Sequence, residues 1–144
     1  MSPLTPEGFQ EITGVSRETR DKLTLYAELL QKWQKRINLV GRSTLPDLWR
    51  RHMLDGAQLH PLLPEETRVL VDFGSGAGFP GLVLAIMGVP DVHLIESDSR
   101  KVAFQREVAR VTETPITLHN SRIESVPPFP ADVITARALA PLTD

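Results

Sequence analysis

From Val71 to Gly81 the chain runs Val-Asp-Phe-Gly-Ser-Gly-Ala-Gly-Phe-Pro-Gly, and no other stretch restricts the fold so tightly. Ahead of it lies Val69-Leu70-Val71-Asp72-Phe73, an apolar run of strand length, and behind it an apolar helical run continues to about Met87. Glycines at 74, 76 and 78 remove side chains where strand turns into helix, so a ligand can lie against bare backbone. The helix that follows offers unpaired N–H groups and a partial positive charge, a seat for an anion. Pro80 is tolerated in its first turn, where a missing donor does no harm.

The alternation continues downstream. A second strand is expected at Val92–Ile95, then a helix from Ser99 to about Thr112, capped by Ser97 or Ser99, with Phe104, Val108 and Val111 inward. A third strand at Ile116–Leu118, a helical turn at Ser121–Ser125 and a fourth strand at Asp132–Thr135 complete the pattern. Strands alternating with helices imply right-handed crossovers and a parallel sheet.

Before Arg68 the grammar is helical. Residues 1–14 look like a loose leader. Ser16 caps a helix to about Asn38, with Leu23, Tyr26, Leu30, Trp33 and Ile37 forming one stripe, and Pro46 opens a second helix to about His60. The expected organisation is an all-helical segment, residues 1–64, followed by an α/β domain, residues 65–144.

Composition narrows the chemistry. With 144 residues, 41% hydrophobic and 24% charged, the chain has the make-up of a globular protein rather than a disordered one. No apolar run approaches the roughly 18 residues of a membrane span, and the N-terminus lacks a signal-peptide pattern. Without cysteine there is no disulfide, thiolate metal site or cysteine nucleophile, and His52, His60, His93 and His119 form no short-spaced metal pair. A cytoplasmic, metal-independent protein without a membrane segment is expected. The net charge of −2 hides a local bias: Lys32, Lys35, Arg36, Arg42, Arg50 and Arg51 stand against the single acid Asp47 between Gln31 and Leu54. Such a segment is either a solvated helix face or a footprint for phosphates.

Glu96 closes the second strand, 20 residues after Gly76, where an acid meets ribose hydroxyls in a nucleotide-binding βαβ unit. Gly76 to Gly81 formally spells GxGxxG, so an NAD-dependent oxidoreductase is a competing enzyme reading. The turn begins earlier, at Gly74, and Asp72 stands just before it on the strand end. An acid followed by GxGxG is the arrangement of S-adenosylmethionine enzymes, in which the acid receives the ligand's ammonium and backbone donors meet its carboxylate. A P-loop is excluded, because no Gly-Lys-Ser or Gly-Lys-Thr follows the glycines.

Five segments, in this order, give the chain a resemblance to the ribosomal RNA small subunit methyltransferase G family, also called GidB or glucose-inhibited division protein B. They are Trp33 to Leu39, like the family's W-x-x-x-x-N-L; Arg51-His52-Met53-Leu54-Asp55; Asp72 to Gly81; Ser121-Arg122-Ile123-Glu124; and Thr135-Ala136-Arg137-Ala138. Gly56 departs from the family's usual serine and Phe73 from its usual valine. The resemblance implies a Rossmann-like S-adenosylmethionine-dependent methyltransferase fold, of which the first four strands, in order 3-2-1-4, are present. It also implies methylation of N7 of a guanosine in 16S rRNA on the small ribosomal subunit. Gly74, Phe79, Ile123, Glu124 and Arg137 are then the cofactor-contacting positions, with Glu96 at the ribose and Asp72, Gly76 and Gly78 in the loop.

Guanine N7 carries a lone pair and no proton, so its methylation depends on holding two reactants aligned rather than on a triad or metal. No catalytic residue is singled out; His52 and Asp55, one helical turn apart, are expected to hydrogen-bond structurally. Lys35, Arg36, Arg50, Arg51 and Arg122 are candidate RNA contacts, with Arg137 nearer the pocket. The helical spacing of Trp33 and Trp49 predicts core packing rather than base stacking. Four strands against the fold's usual seven suggest an N-terminal fragment, which leaves a non-catalytic cofactor- or RNA-binding remnant as the other alternative.

Overall fold

The computed structural model describes residues 2–136, so Arg137 and Ala138 of the fifth motif lie outside the described residues. Four parallel strands form one sheet: β1 (Val69–Phe73), β2 (Asp91–Glu96), β3 (Thr117–Asn120) and β4 (Val133–Ala136), in the order β3-β2-β1-β4. This is the α/β, Rossmann-like arrangement and strand order expected, with the last two strands each ending later than the sequence suggests. The register pairs Asp72 with Leu94 and with Thr135, which sets the carboxyl ends of β1, β2 and β4 side by side. Asp132 pins β4 from its start, its carboxylate accepting the N–H groups of Arg68 and Val69 at 2.9 Å each.

Leu70, Val92 and Leu94 join the core cluster shared with the helices, while the alternate residues Val71, Phe73 and Ile95 wall a separate cavity with Ile134. Two elements carry the helical side of the domain: α4 (Gly81–Ile86), buried along its whole length, and α5 (Ser99–Val111). The N-cap of α5 is Asp98 rather than Ser97 or Ser99; its side chain accepts from the N–H of Arg100 and Lys101. A carboxylate is favoured there because it also answers the helix dipole. Val102, Phe104, Gln105 and Val108 are the buried face of α5, and Val111 is only half-buried.

The N-terminal residues are not a loose leader. Thr5 caps α1 (Pro6–Thr13) by accepting the Gly8 N–H, Pro6 stands at its first position, and Gly14 (φ 72°) ends it. The helix forms because Phe9, fully buried, packs edge-on against Trp49 at 5.3 Å. Helix α2 (Arg17–Gln34) starts at its Ser16 cap as expected but stops four residues before Asn38. The second helix expected from Pro46 is broken instead into a 3₁₀ turn (Arg42–Asp47), a π turn (Trp49–Leu54), the single α turn α3 (Asp55–Ala57) and a further 3₁₀ turn (His60–Leu62). Pro46 lacks the donor for a regular ladder and biases its neighbour away from α geometry. Leu48, Trp49, His52, Met53, Gly56 and Ala57 nevertheless turn inward.

Helical segment and sheet share one hydrophobic cluster, in which Leu23, Tyr26 and Leu30 of α2 meet Leu82 of α4 and Phe104 and Val108 of α5. Each such fully buried side chain contributes about 1.5–3 kcal/mol over its exposed state. Trp33 packs on Phe104 at 5.5 Å and Trp49 is 8% exposed, so both tryptophans are packing residues as expected.

Candidate functional site

The turn after β1 is hooked to the end of β2: the N–H groups of Gly74 and Ser75 both donate to the Ile95 carbonyl, at 2.9 and 3.2 Å. Gly74, Gly76 and Gly78 all adopt positive φ (64°, 54° and 100°), the region that favours residues without a Cβ. Their clearances differ. A Cβ on Gly78 would stand 2.6 Å from the Tyr26 hydroxyl, and one on Gly81 would stand 2.8 Å from Asp72 Oδ2 and press into Leu94. One on Gly76 would find only the Gly74 carbonyl, 3.9 Å away. Gly78 and Gly81 therefore serve close packing, and Gly76 leaves open the space where a side chain would stand.

Side chains from three elements clamp this turn. Glu96 accepts the Gly76 N–H at Oε1 (2.8 Å) and the Asp98 N–H at Oε2 (2.9 Å). Gln105, fully buried on α5, donates from Nε2 to the Gly76 carbonyl (2.6 Å) and to Ser75 Oγ (2.8 Å). Tyr26 donates its hydroxyl to the Ala77 carbonyl at 2.6 Å. Phe79 is held between two rings, Tyr26 (5.1 Å, 9°) and His52 (5.0 Å, 21°), while His52 Nε2 bonds Thr44 Oγ1 at 2.7 Å. Asp72 lies beneath the turn, fully buried; Oδ2 accepts the Gly81 N–H (3.1 Å) and Oδ1 the Thr135 hydroxyl (2.9 Å). The chain's own carboxylate thus already occupies the first donor of α4, where the sequence suggests an anion seat.

Above these clamps a cavity of about 330 Å³ opens at the carboxyl ends of β1 and β2. Gly74, Ser75, Gly76, Ala77 and Phe79 form one wall; Leu39, Val40, Gly41 and His52 form the other; Glu96 and Lys101 close the end. Its volume falls within the roughly 300–1,000 Å³ of small-molecule sites. A larger cavity, 660 Å³, lies between His60–Arg68 and Gly88–Pro90, at the opposite ends of the strands. Parallel α/β sheets bind ligands at the carboxyl ends, so the smaller cavity is the candidate site. Beside it the backbone N–H of Arg100, opposed by burial and then helped by the N–H of Lys101, holds the Asp98 carboxyl below its ordinary range.

Of the residues singled out in the sequence, Gly74, Gly76, Phe79 and Glu96 meet around this cavity. Asp72 and Gly78 support it from outside the lining. Ile123 and Glu124 sit on the 3₁₀ turn Ile123–Ser125 after β3, where Ile123 is 39% exposed and borders the cavity of Val71 and Phe73 instead. Arg122 is exposed beside them. Gln105 and Tyr26, which bond the turn, and Lys101, which lines the cavity, are neighbours of the candidate site that no motif marks. The one signal for Gln105 is a polar residue on the inward stripe of α5 between Val102 and Val108.

The basic stretch divides. Lys35, Arg36 and Arg51 are exposed, whereas Arg50 is half-buried, paired with Asp47 and donating to the Ser2 carbonyl at 3.2 Å. Two of the histidines meet diagonally across β2 and β3, the register setting His93 against Thr117 and His119 against Ile95. His93 Nδ1 and His119 Nε2 lie 3.0 Å apart, with Phe129 packed on both rings. Among the described residues no group of three His, Cys, Asp or Glu is placed to hold a metal.

A family model described as rRNA small subunit methyltransferase G matches residues 19–144. The protein named ribosomal RNA small subunit methyltransferase G in Paramagnetospirillum magneticum is 70% identical over 139 residues, 96% of this chain and 68% of that protein. Its namesake in Rhodospirillum rubrum is 63% identical over 96% of this chain and 69% of its own length. That of Rhodospirillum centenum is 66% identical over 94% of this chain and 62% of its own length. The chain spans about two thirds of the length of these relatives.

Proposed function

The chain belongs to the rRNA small subunit methyltransferase G family, and from that membership we propose that it binds S-adenosylmethionine and methylates N7 of a guanosine in 16S rRNA. The observation that carries the reading is Glu96, at the end of β2, bonded to the Gly76 N–H and lining the same cavity as the open glycine backbone. The residues present fit the cofactor. Glu96 retains acceptor capacity beyond its two backbone bonds, which suits the hydroxyl pair of a ribose. Gly74 and Gly76 leave bare backbone, and Phe79, Leu39 and Val40 supply apolar walls.

When bound, S-adenosylmethionine supplies a methyl group on a sulfonium. Guanine N7 offers a lone pair and no proton, so the chain has no base to provide; its task is to hold and align. Gln105, Tyr26 and Glu96 keep the turn in one conformation, and Asp72 anchors its far end to β4. We assign Asp72 this positioning role beside the ammonium-receiving role implied by the motif. By resemblance Ile123, Glu124 and Arg137 are further cofactor contacts, and Lys35, Arg36, Arg51 and Arg122 contact the RNA. Among the described residues no helix is long and apolar enough to cross a membrane, and a chain acting on the small ribosomal subunit works in the cytoplasm.

The test is calorimetry with S-adenosylmethionine and with NAD, followed by transfer of labelled methyl to 30S subunits. Binding of the first with transfer is expected. NAD binding without S-adenosylmethionine binding would replace this reading with the oxidoreductase one. Cofactor binding without transfer would reduce the chain to a non-catalytic binding protein.

A further inference from the structure

The loop that leaves α2 has two concave sides. On the inner side Leu39, Val40 and Gly41 wall the 330 Å³ cavity opposite the glycine turn. On the outer side Gln34, Lys35, Arg36, Asn38, Gly41 and Arg42 surround a second concavity of about 530 Å³. Gly41 borders both. That residue adds no bulk: even a Cβ on Gly41 would meet only Thr44 Cγ2, at 3.9 Å.

One side chain makes the wall rigid. Gln34 Oε1 accepts the N–H groups of Leu39 (3.1 Å) and Val40 (3.0 Å), while Nε2 donates to the Val40 carbonyl (2.8 Å) and to Asn38 Oδ1 (3.3 Å). The loop is thereby tied to the last turn of α2, whose packing on α5 fixes it relative to the glycine turn.

The charge on the outer side is unbalanced. Lys35, Arg36 and Arg42 are all exposed, and no acid lines the concavity. Among the described residues none of the three has a carboxylate within ion-pair distance. Arg50, from the same basic stretch, is already occupied by Asp47 and the Ser2 carbonyl. Three cations without counter-charge on a rigid loop suit a phosphodiester backbone, and phosphate contacts are what set the register of a bound strand.

We propose that the outer concavity seats the backbone phosphates of single-stranded RNA next to the target nucleotide, whose base reaches the mouth of the inner, cofactor-holding cavity past Gly41. The proposal rests on the methyl-transfer reading above and adds the path of its substrate. It includes Arg42 and excludes Arg50 from the contact surface.

Anisotropy of a labelled single-stranded 16S rRNA fragment against salt concentration tests it, using the full chain and its K35Q/R36Q/R42Q variant. Each phosphate contact on a single strand contributes about 0.7 to the slope of log affinity against log salt, so losing three lowers the slope by about 2. A control, R106Q/R110Q, removes charge from α5 and is expected to lower it by less than about half that amount. Calorimetry with S-adenosylmethionine is expected to be unchanged in the triple variant. A triple variant with the wild-type slope overturns the docking site while leaving the methyl-transfer reading standing. A wild-type chain that binds neither S-adenosylmethionine nor RNA removes that reading and the proposal with it. A triple variant that loses binding to phosphatidylglycerol vesicles but keeps its RNA slope makes the surface a membrane contact, and the proposal fails.

Discussion

Replacing Tyr26 by Phe deletes one oxygen from the junction between the helical segment and the glycine turn. Tyr26 is fully buried, its hydroxyl donates to the Ala77 carbonyl at 2.6 Å, and its ring stacks on Phe79. Phenylalanine keeps the ring and its packing, so the change isolates the hydrogen bond. Ala77 is 4% exposed, which leaves its carbonyl little access to replacement water. A buried acceptor left unsatisfied costs about 1–3 kcal/mol. For a chain of this size that lowers the thermal midpoint by roughly 3–10 °C. Because Ala77 also walls the cavity, the loosened turn is expected to weaken S-adenosylmethionine binding by about three- to tenfold, or ~0.7–1.4 kcal/mol. Thermal unfolding followed by tryptophan fluorescence reads the first effect and calorimetry the second. Leu25→Ala, at the half-exposed neighbour on α2, is the control and is expected to shift stability by less than about 0.5 kcal/mol. A Tyr26→Phe chain with wild-type midpoint and wild-type cofactor affinity would refute the clamp.

Further outcomes follow from the same geometry. Gly81→Ala drives a Cβ toward Asp72 and Leu94 and is expected to cost about 1–3 kcal/mol in urea unfolding, whereas Gly76→Ala meets no clash but carries about 1–2 kcal/mol of strain at its positive φ and should weaken cofactor binding besides; unchanged cofactor affinity in Gly76→Ala would show that glycine misassigned. Gln105→Leu removes both amide contacts to the turn and is expected to raise the KM for S-adenosylmethionine with little change in kcat, and an unchanged KM would make Gln105 mere filler. Burial, and then the neighbouring His93, hold His119 below its ordinary 6.5. The unfolded chain therefore binds the extra proton first, so stability is full above about pH 6.5 and declines as pH falls below it; His119→Phe should flatten urea midpoints in that window. The N–H groups of Val69 and Arg68 depress the Asp132 carboxyl below 3.8, so its contribution is present above that pH and lost on further acidification. Asp132→Asn should weaken the docking of β4, read as faster amide exchange in β4 than in β2.

Much of this molecule was legible because it depends on neighbours in sequence. Ser16 caps α2, the stripe Leu23-Tyr26-Leu30 is buried, and the alternation after Arg68 yields the parallel sheet. The structure departs from the local pattern where tertiary contacts outweigh local preference. Helix α1 exists because Phe9 has Trp49 to pack against, a partner that local pattern cannot reveal. The stretch after Pro46 changes helical type turn by turn while still burying Trp49, His52 and Met53, because packing rewards the inward side chain and not the ladder. Asp98 outcompetes two serines for the α5 cap because a charged acceptor binds two backbone donors at once.

The sequence by itself determined a strand, a glycine turn and a helix with an acid at the end of the next strand, and with it the family of chemistry. Bare backbone and strand period are local properties. Only the tertiary structure decided that Gly78 and Gly81 admit packing while Gly76 faces open space. It also decided that Gln105 and Tyr26 hold the turn, and that among the described residues Lys35, Arg36 and Arg42 have no carboxylate within ion-pair distance where Arg50 has one. Clearance, hydrogen-bond partnership and charge balance are distances between residues remote in the chain, and those distances are set by how the sheet and helices pack.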